Sequence, residues 1–305
     1  VTILFSANGF TFDTFTNPDT RDYAQRPYAA LAKALDLVTP DVWDGSPVEA
    51  FIAWDVPPAA LYRRVGDVPK ILVAFEPSVV QPVNWDMTLH DLFDAVITWH
   101  DGWAWGERYQ KLHFPLPAEF PPLNALPFSE RRLLTHMSSN KRSPNPGELY
   151  TMRLQAIDWF QTNAPDDFHY YGTGWPDAPC YGGAPTHKGE VFPQHKFALV
   201  IENEAAPGWI TEKLYDCIRC GVVPIYWGAP NVAKYVDPAA FINLRQYQSY
   251  EHLLSVLRMI DEEHWQVYRD AGAAINLSRH MPDAFIQTFQ KVLDVVKVGY
   301  ATQSA

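Results

Sequence analysis

An α/β protein with two parallel-sheet, Rossmann-like domains is the fold this sequence predicts, on three observations. Short apolar runs of strand length alternate with stretches of helical period over residues 1–99, and again over 131–244. Between the two series, residues 115–127 (PLPAEFPPLNALP) hold five prolines and no helical period, which marks a linker. At 305 residues the chain is long enough for two domains that each bury a core. The sequence therefore divides into domains 1–120 and 121–305, the second with trailing helices.

Each element follows from local chemistry. Residues 1–6 (VTILFS) read as the first strand, ending in the loop Ala7-Asn8-Gly9-Phe10. Small polar residues at that strand end face a cleft in sheets of this type. Residues 28–38 carry helical period through Leu31, Leu35 and Leu37. Strands are predicted at 50–54, 70–75 and 93–99, with Pro- or Gly-bearing connections and a helical piece over 59–64. Beyond the linker come a strand at 131–137, a polar loop over 138–147, a helix over 148–161 and a strand at 168–171. The Gly172-Thr173-Gly174 sequence that follows lacks the spacing of a dinucleotide fingerprint and marks only a turn.

The stretch 196–244 is the most informative. Phe197 to Ile201 has the length and β-branched content of a buried strand, and it stops at Glu202 and Asn203. After a loop with Pro207 and Gly208, Thr211 is placed to cap a helix that runs to Cys220, with Gly221 as its stop. A second buried strand spans 222–227 and ends at Gly228. The polar residues thus sit at a strand end and a helix start, where open α/β sheets bind ligands. Glu212 and Lys213 fall in the first helical turn, whose unpaired N–H groups and dipole favour an anion. A lysine there can meet a phosphate, and the carboxylate beside it can accept from sugar hydroxyls. The same pair also fits an ordinary solvated helix start. Amphipathic helices are predicted over 250–260, 263–275 and 282–298, the last with Phe285, Phe289, Leu293 and Val296 as a core stripe.

Composition narrows the function classes. Apolar residues make up 47% and charged residues 19%, a globular balance. The net charge of −11 argues against nucleic acid and against an anionic membrane as the main partner, so an anionic ligand needs a local cation cluster. The three cysteines, Cys180, Cys217 and Cys220, form no disulfide framework and fit a reducing, cytoplasmic setting. Cys217 and Cys220 are spaced C-x-x-C inside the predicted helix, which suits core packing, whereas a redox pair would sit at a helix start. No run of eighteen apolar residues appears, and no signal peptide is expected. Peripheral membrane contact has no support in the sequence; association through the acceptor would be its only source.

The stretch 196–244 resembles the donor-binding motif of the α-1,3/1,4-fucosyltransferases, glycosyltransferase family 10, and is similar above all to the short bacterial members. The matched positions are Lys196-Phe197, Glu202-Asn203, Ile210-Thr211-Glu212-Lys213, Val223-Pro224-Ile225-Tyr226-Trp227-Gly228, Pro238 and Phe241-Ile242. The resemblance implies a GT-B fold, two Rossmann-like domains facing across a cleft, with acceptor on the first domain and sugar nucleotide on the second. It implies an inverting transfer of L-fucose from GDP-fucose to a hydroxyl of a galactose/N-acetylglucosamine-type glycan. The alternatives are a GT-B transferase for another sugar nucleotide and a non-catalytic sugar-nucleotide sensor.

The same resemblance implies roles for named residues. Lys213 and Arg153 would meet the diphosphate, since the family has a similar Ser-Asn loop followed by such an arginine. Ser139 and Asn140 would lie beside the nucleotide. Glu202, Asn203 and Glu212 match the family's polar positions around ribose and fucose, with Thr211 in the same motif. Trp209 stands where many members carry tyrosine; it keeps a stacking face but loses the hydroxyl. Inverting transfer needs a base for the acceptor hydroxyl. Glu76 is the candidate: the family has a glutamate in a similar stretch, there often Glu-Ser-Pro and here Glu76-Pro77-Ser78. The plainer reading is a carboxylate that ends a strand, and Asp55 and Asp101 are the substitutes. Trp99, Trp103 and Trp105 around Asp101 suit either a sugar acceptor or a packed core. No D-x-D or histidine cluster has metal-ligand spacing, so no metal is expected to be required; a GT-B enzyme can use Lys213, Arg153 and a helix N-terminus instead.

Overall fold

Apolar runs become strands here because both faces of each sheet are covered, so the runs need no polar alternation. In the first half the strands are β1 (Ile3–Ala7), β2 (Leu37–Val38), β3 (Ala50–Trp54), β4 (Lys70–Ala74), β5 (Ala95–Thr98) and β6 (Tyr109–Lys111). Every residue of β1, β3, β4 and β5 is buried. The order is β2-β1-β3-β4-β5-β6, and each neighbouring pair is parallel. Helices α1 (Phe12–Thr16), α2 (Arg26–Leu35), α3 (Ala59–Val65) and α4 (Met87–His90) connect them.

The second half holds β7 (Arg132–Met137), β8 (Phe168–Tyr171), β9 (His195–Ile201), β10 (Val223–Trp227) and β11 (Ile242–Asn243), with helices α5 (Tyr150–Asn163), α6 (Glu212–Arg219), α7 (Tyr250–Met259) and α8 (Glu262–Ala273). Its order is β11-β10-β9-β7-β8, again parallel throughout. Leu134, Phe160, Phe168, Phe197, Leu199, Ile225, Leu257 and Trp265 form its core. Strand order reverses between β1 and β3 in the first sheet and between β7 and β9 in the second. The carboxyl ends of those strands are the topological switch points.

This computed structural model describes residues 2–7, 9–16, 26–103, 106, 108–120 and 123–303. It forms two units, Val1–Ala118 with Leu277–Ala305, and Glu119–Asn276. The break thus falls inside the proline-rich segment. The final helix α9 (Pro282–Gln303), which the sequence reading placed in the second domain, belongs to the first unit. Its Phe285 and Phe289 are buried, and they pack on Trp54 with ring centroids 6.2 and 6.3 Å apart, while Tyr28 of α2 meets Phe285 at 5.8 Å. The stripe of helical period was legible, but not the sheet it covers.

A second correction concerns residues 28–38. Helix α2 ends at Leu35, Asp36 takes a left-handed φ of 50°, and Leu37 and Val38 become a strand beside Ile3 and Leu4. Pairing with an open sheet edge outweighs continued helical period. Cys180, Cys217 and Cys220 are unpaired and buried. Among the described residues no helix is long and apolar enough to cross a membrane. The expected strand residue Val1, the loop residue Asn8 and Trp105 lie outside the described residues.

Candidate functional site

The second unit's switch point gathers most of the polar residues singled out in the sequence. Strand β7 ends at Met137 and leads into Ser138, Ser139 and Asn140, while β9 ends at Ile201 and leads into Glu202 and Asn203. Helix α6 starts beside them. Thr211 caps it, its Oγ1 accepting from the Lys213 N–H at 3.3 Å.

Glu202 is completely buried and accepts from the Thr211 N–H at 2.9 Å and from its hydroxyl at 2.9 and 3.0 Å. Lys213 Nζ lies 3.3 Å from Glu202 Oε2, 3.5 Å from Glu212 Oε1 and 2.9 Å from Thr211 Oγ1. The sequence reading took Glu202 and Thr211 as ligand contacts. The structure gives both of them partners within the chain, so they form the buried support of Lys213. Trp209 is corrected in the same way. It is buried, and its indole N–H donates to Asn203 Oδ1 at 2.6 Å, closing the 203–210 loop over the strand end. At 3% exposure the ring offers no stacking platform. Asn203 is half-buried, and its carbonyl accepts from the Leu149 N–H at 2.9 Å, tying the loop to the start of α5.

Arg153 lies on α5 and is only 5% exposed. Its Nε donates to the Ile201 carbonyl at 2.9 Å, and the guanidinium sits 5.0 Å over the Tyr150 ring. Burial lowers its pKa, and Glu202, Tyr150 and Glu212 oppose that shift. Its Nη2 is buried without a hydrogen-bond partner. A buried cation with an unmatched donor beside a switch point is a place for an anion.

Two elements that the sequence did not point to complete the site. Lys188, from a 3₁₀ turn at Lys188–Glu190, lies 2.7 Å from Asp216 Oδ2 and 3.6 Å from Glu212 Oε1. Burial by itself would raise the Glu212 carboxyl, but Lys213 and Lys188 outweigh it and hold the pKa at about 2. Glu212 is therefore an ionised acceptor, 23% exposed, throughout the neutral range. His136, fully enclosed at the end of β7, meets the Leu199 carbonyl through Nδ1 at 2.8 Å and the Ser138 hydroxyl through Nε2 at 2.9 Å. A carbonyl only accepts, so Nδ1 carries the proton and Nε2 accepts from Ser138. Burial pushes this imidazole down to about 4. Lys188 lies in a loop with no motif around it; the only hint was that Glu212 and Asp216, four apart on one helix face, would need a counter-charge.

Ser139 and Asn140 are half-buried and paired to the Gly172 turn. The Asn140 N–H donates to the Thr173 carbonyl at 2.9 Å, its amide Nδ2 to the Gly174 carbonyl at 3.0 Å, and the hydroxyls of Ser139 and Thr173 meet at 2.8 Å. The glycine-containing turn that looked incidental in the sequence thus shapes the site.

Glu76 belongs to the first unit, half-buried just past the end of β4. Asp55, at the end of β3 with a left-handed φ of 63°, accepts from the Phe75 and Glu76 N–H groups at 3.0 and 2.9 Å and from Asn84 Nδ2 at 2.5 Å. Asn84 Nδ2 also reaches the Glu76 carbonyl at 3.2 Å. Asp55 is thereby a buried brace beneath Glu76, unsuited to be a substitute base. Asp101 is paired with Lys111 at 2.6 Å. Trp99 is buried with its N–H on the Phe75 carbonyl, and Trp103 packs 4.6 Å from Trp85 and 4.7 Å from His100, so these rings form a packed aromatic group. Among the described residues no cluster of His, Cys, Asp and Glu could hold a metal ion.

Residues 133–270 match the family model "Glycosyltransferase family 10 (fucosyltransferase) C-term". The chain is 33% identical over 84 residues to the α-(1,3)-fucosyltransferase of Helicobacter pylori, which is 28% of this chain and 17% of that protein. It is 36% identical over 69 residues to the α-(1,4)-fucosyltransferase of Arabidopsis thaliana, 23% of this chain and 17% of that one. The aligned part thus amounts to about a sixth of either relative's length. A crystal structure of an α1,3-fucosyltransferase with GDP-fucose superposes with a TM-score of 0.60 at 16% identity, covering 96% of this chain and 90% of that one. That likeness is one of fold, the GT-B class.

Proposed function

We propose, from the match of residues 133–270 to the family model of glycosyltransferase family 10, that the protein is a fucosyltransferase. It takes L-fucose from GDP-fucose and transfers it, with inversion, to a hydroxyl of a galactose/N-acetylglucosamine-type glycan through an α-1,3 or α-1,4 linkage. The observation that carries the reading is the second unit's switch point, where Lys213, the unmatched Nη2 of Arg153 and the first turn of α6 converge on one strand end. These groups supply the counter-charge that a departing diphosphate needs. In the transfer, Glu76 accepts the proton of the acceptor hydroxyl as its oxygen bonds to the anomeric carbon. The bond from that carbon to the β-phosphate oxygen breaks, and GDP leaves with the electron pair. Glu212, held ionised, is suited to accept hydrogen bonds from the sugar. Side chains and backbone provide this charge, so the reaction is proposed to need no metal. A cytoplasmic location, with membrane association only through the acceptor, belongs to the same proposal and is supported by three unpaired cysteines.

The test is a donor screen with GDP, UDP and dTDP sugars by thermal shift, followed by transfer assays on galactose–N-acetylglucosamine disaccharides with and without EDTA. GDP-fucose alone should stabilise the protein and be turned over equally in EDTA. Stabilisation by a different sugar nucleotide would redirect the donor assignment. Binding without transfer to any acceptor would favour a sensor.

A further inference from the structure

We propose that Lys188 is a positioning residue of the donor site. It neutralises Asp216 and holds Glu212, so that Lys213 can turn from its carboxylate partners to the donor's diphosphate. The inference rests on the donor reading above. It starts from the balance of charge around the first two turns of α6. Three cations, Arg153, Lys188 and Lys213, stand against three carboxylates, Glu202, Glu212 and Asp216. Lys213 is engaged by Glu202 at 3.3 Å and Glu212 at 3.5 Å. A diphosphate that recruits Lys213 withdraws it from both. Glu202 keeps the Thr211 N–H and the Thr211 hydroxyl, which its two oxygens share. Glu212 keeps its hydrogen bonds from Thr211 and its own N–H, and of the two lysines at its Oε1 it keeps Lys188, 3.6 Å away. Lys188 is itself fixed by Asp216, whose side chain is 2% exposed and one helical turn beyond Glu212, at 2.7 Å.

Lys188 reaches α6 from a separate segment just before β9, so it also ties that turn to the helix. Removing its charge leaves two cations against three carboxylates, and such a site repels a phosphate. Replacing Asp216 by asparagine at the same time restores two against two at nearly unchanged volume. This distinguishes a positioning lysine from one that touches the phosphate.

The experiment is calorimetry with GDP on wild type, Lys188→Arg, Lys188→Met and the double variant Lys188→Met/Asp216→Asn. Lys188→Met should weaken GDP binding about tenfold or more, the size of one lost charge interaction. Lys188→Arg should bind close to wild type, and the double variant should recover to within about threefold, a margin inside the context-dependence of such contacts. A purely structural role would lower the number of competent sites per chain while leaving the affinity of those that remain. Should Lys188→Met not fold, the double variant carries the test alone, because it removes the Asp216 charge together with that of Lys188. Wild-type affinity in Lys188→Met overturns the proposal. So does a double variant that binds at least tenfold more weakly than wild type, which would place Lys188 on the phosphate itself. A wild type that binds no GDP would strike down the donor reading first, and this inference with it.

Discussion

Lys213 and Arg153 would meet a diphosphate by different routes. Lys213 is 26% exposed and must leave Glu202 and Glu212, whereas Arg153 is buried with Nη2 already unmatched. Lys213→Ala and Arg153→Ala should each weaken GDP binding by about ten- to hundredfold, with a smaller loss for GMP, which lacks the second phosphate. Arg153→Ala should also lower thermal stability more, since the buried Glu202 loses a neighbouring cation and Ile201 a hydrogen bond. Unchanged GDP affinity in both variants would remove them from a phosphate site. Glu76→Gln keeps shape but cannot take a proton, and loss of a general base costs ~10²–10⁴ in rate. Donor affinity should hold, because the donor residues all lie in the second unit and Glu76 in the first. Equal transfer rates in Glu76→Gln and wild type would leave Glu76 as a strand-end carboxylate only.

The pairing of the 138–140 loop with the Gly172 turn makes two short elements act as one. Gly172 has φ 128°, and a Cβ there would lie 2.1 Å from the Ser138 carbonyl oxygen. The Ser138 N–H donates to the Tyr171 carbonyl at 3.0 Å and the Trp175 N–H to the Ser138 carbonyl at 2.6 Å, so that oxygen cannot simply retreat. Gly172→Ala should therefore cost about 1–3 kcal/mol in urea unfolding and displace Ser139 and Asn140, weakening GDP binding. Gly183 has φ 92° but open space around the missing Cβ, and Gly183→Ala should show strain alone with GDP affinity intact. Equal GDP affinity in Gly172→Ala would mean that the loop does not touch the nucleotide.

For the whole molecule, buried histidines set the response to acid. His136, His195 and His280 are each pushed down to about 4 by burial, against hydrogen bonds to the Leu199, Val191 and Phe114 carbonyls that favour the charged form. The folded pKa lies below the unfolded value, so between pH ~6.5 and ~4 the unfolded chain binds more protons and stability falls as pH falls. Each such histidine contributes up to about 1 kcal/mol per pH unit in that window. Asp55, raised by burial against hydrogen bonds from Glu76, Asn84 and Phe75, works in the opposite sense. Urea midpoints should drop between pH 7 and pH 5, and a flat profile over that range would contradict the neutral, buried state of these rings.

What the sequence determined by itself was local. Apolar runs of strand length, the Thr211 cap and the Gly221 stop fixed the strand–loop–helix–strand unit to within a residue or two, because strand burial and helix capping depend on near neighbours. The same unit placed Lys213 at a helix start and Glu202 at a strand end. Only the tertiary structure decided which of these groups a ligand could reach. Glu202, Thr211 and Trp209 are buried and hydrogen-bonded within the chain, and Asp55 turned from substitute base to brace because Asn84 and two backbone N–H groups converge on it. Lys188 reached α6 from more than twenty residues upstream, and α9 returned to the first unit from the far end of the chain. Burial and charge pairing are made by residues distant in sequence, and no local pattern records them.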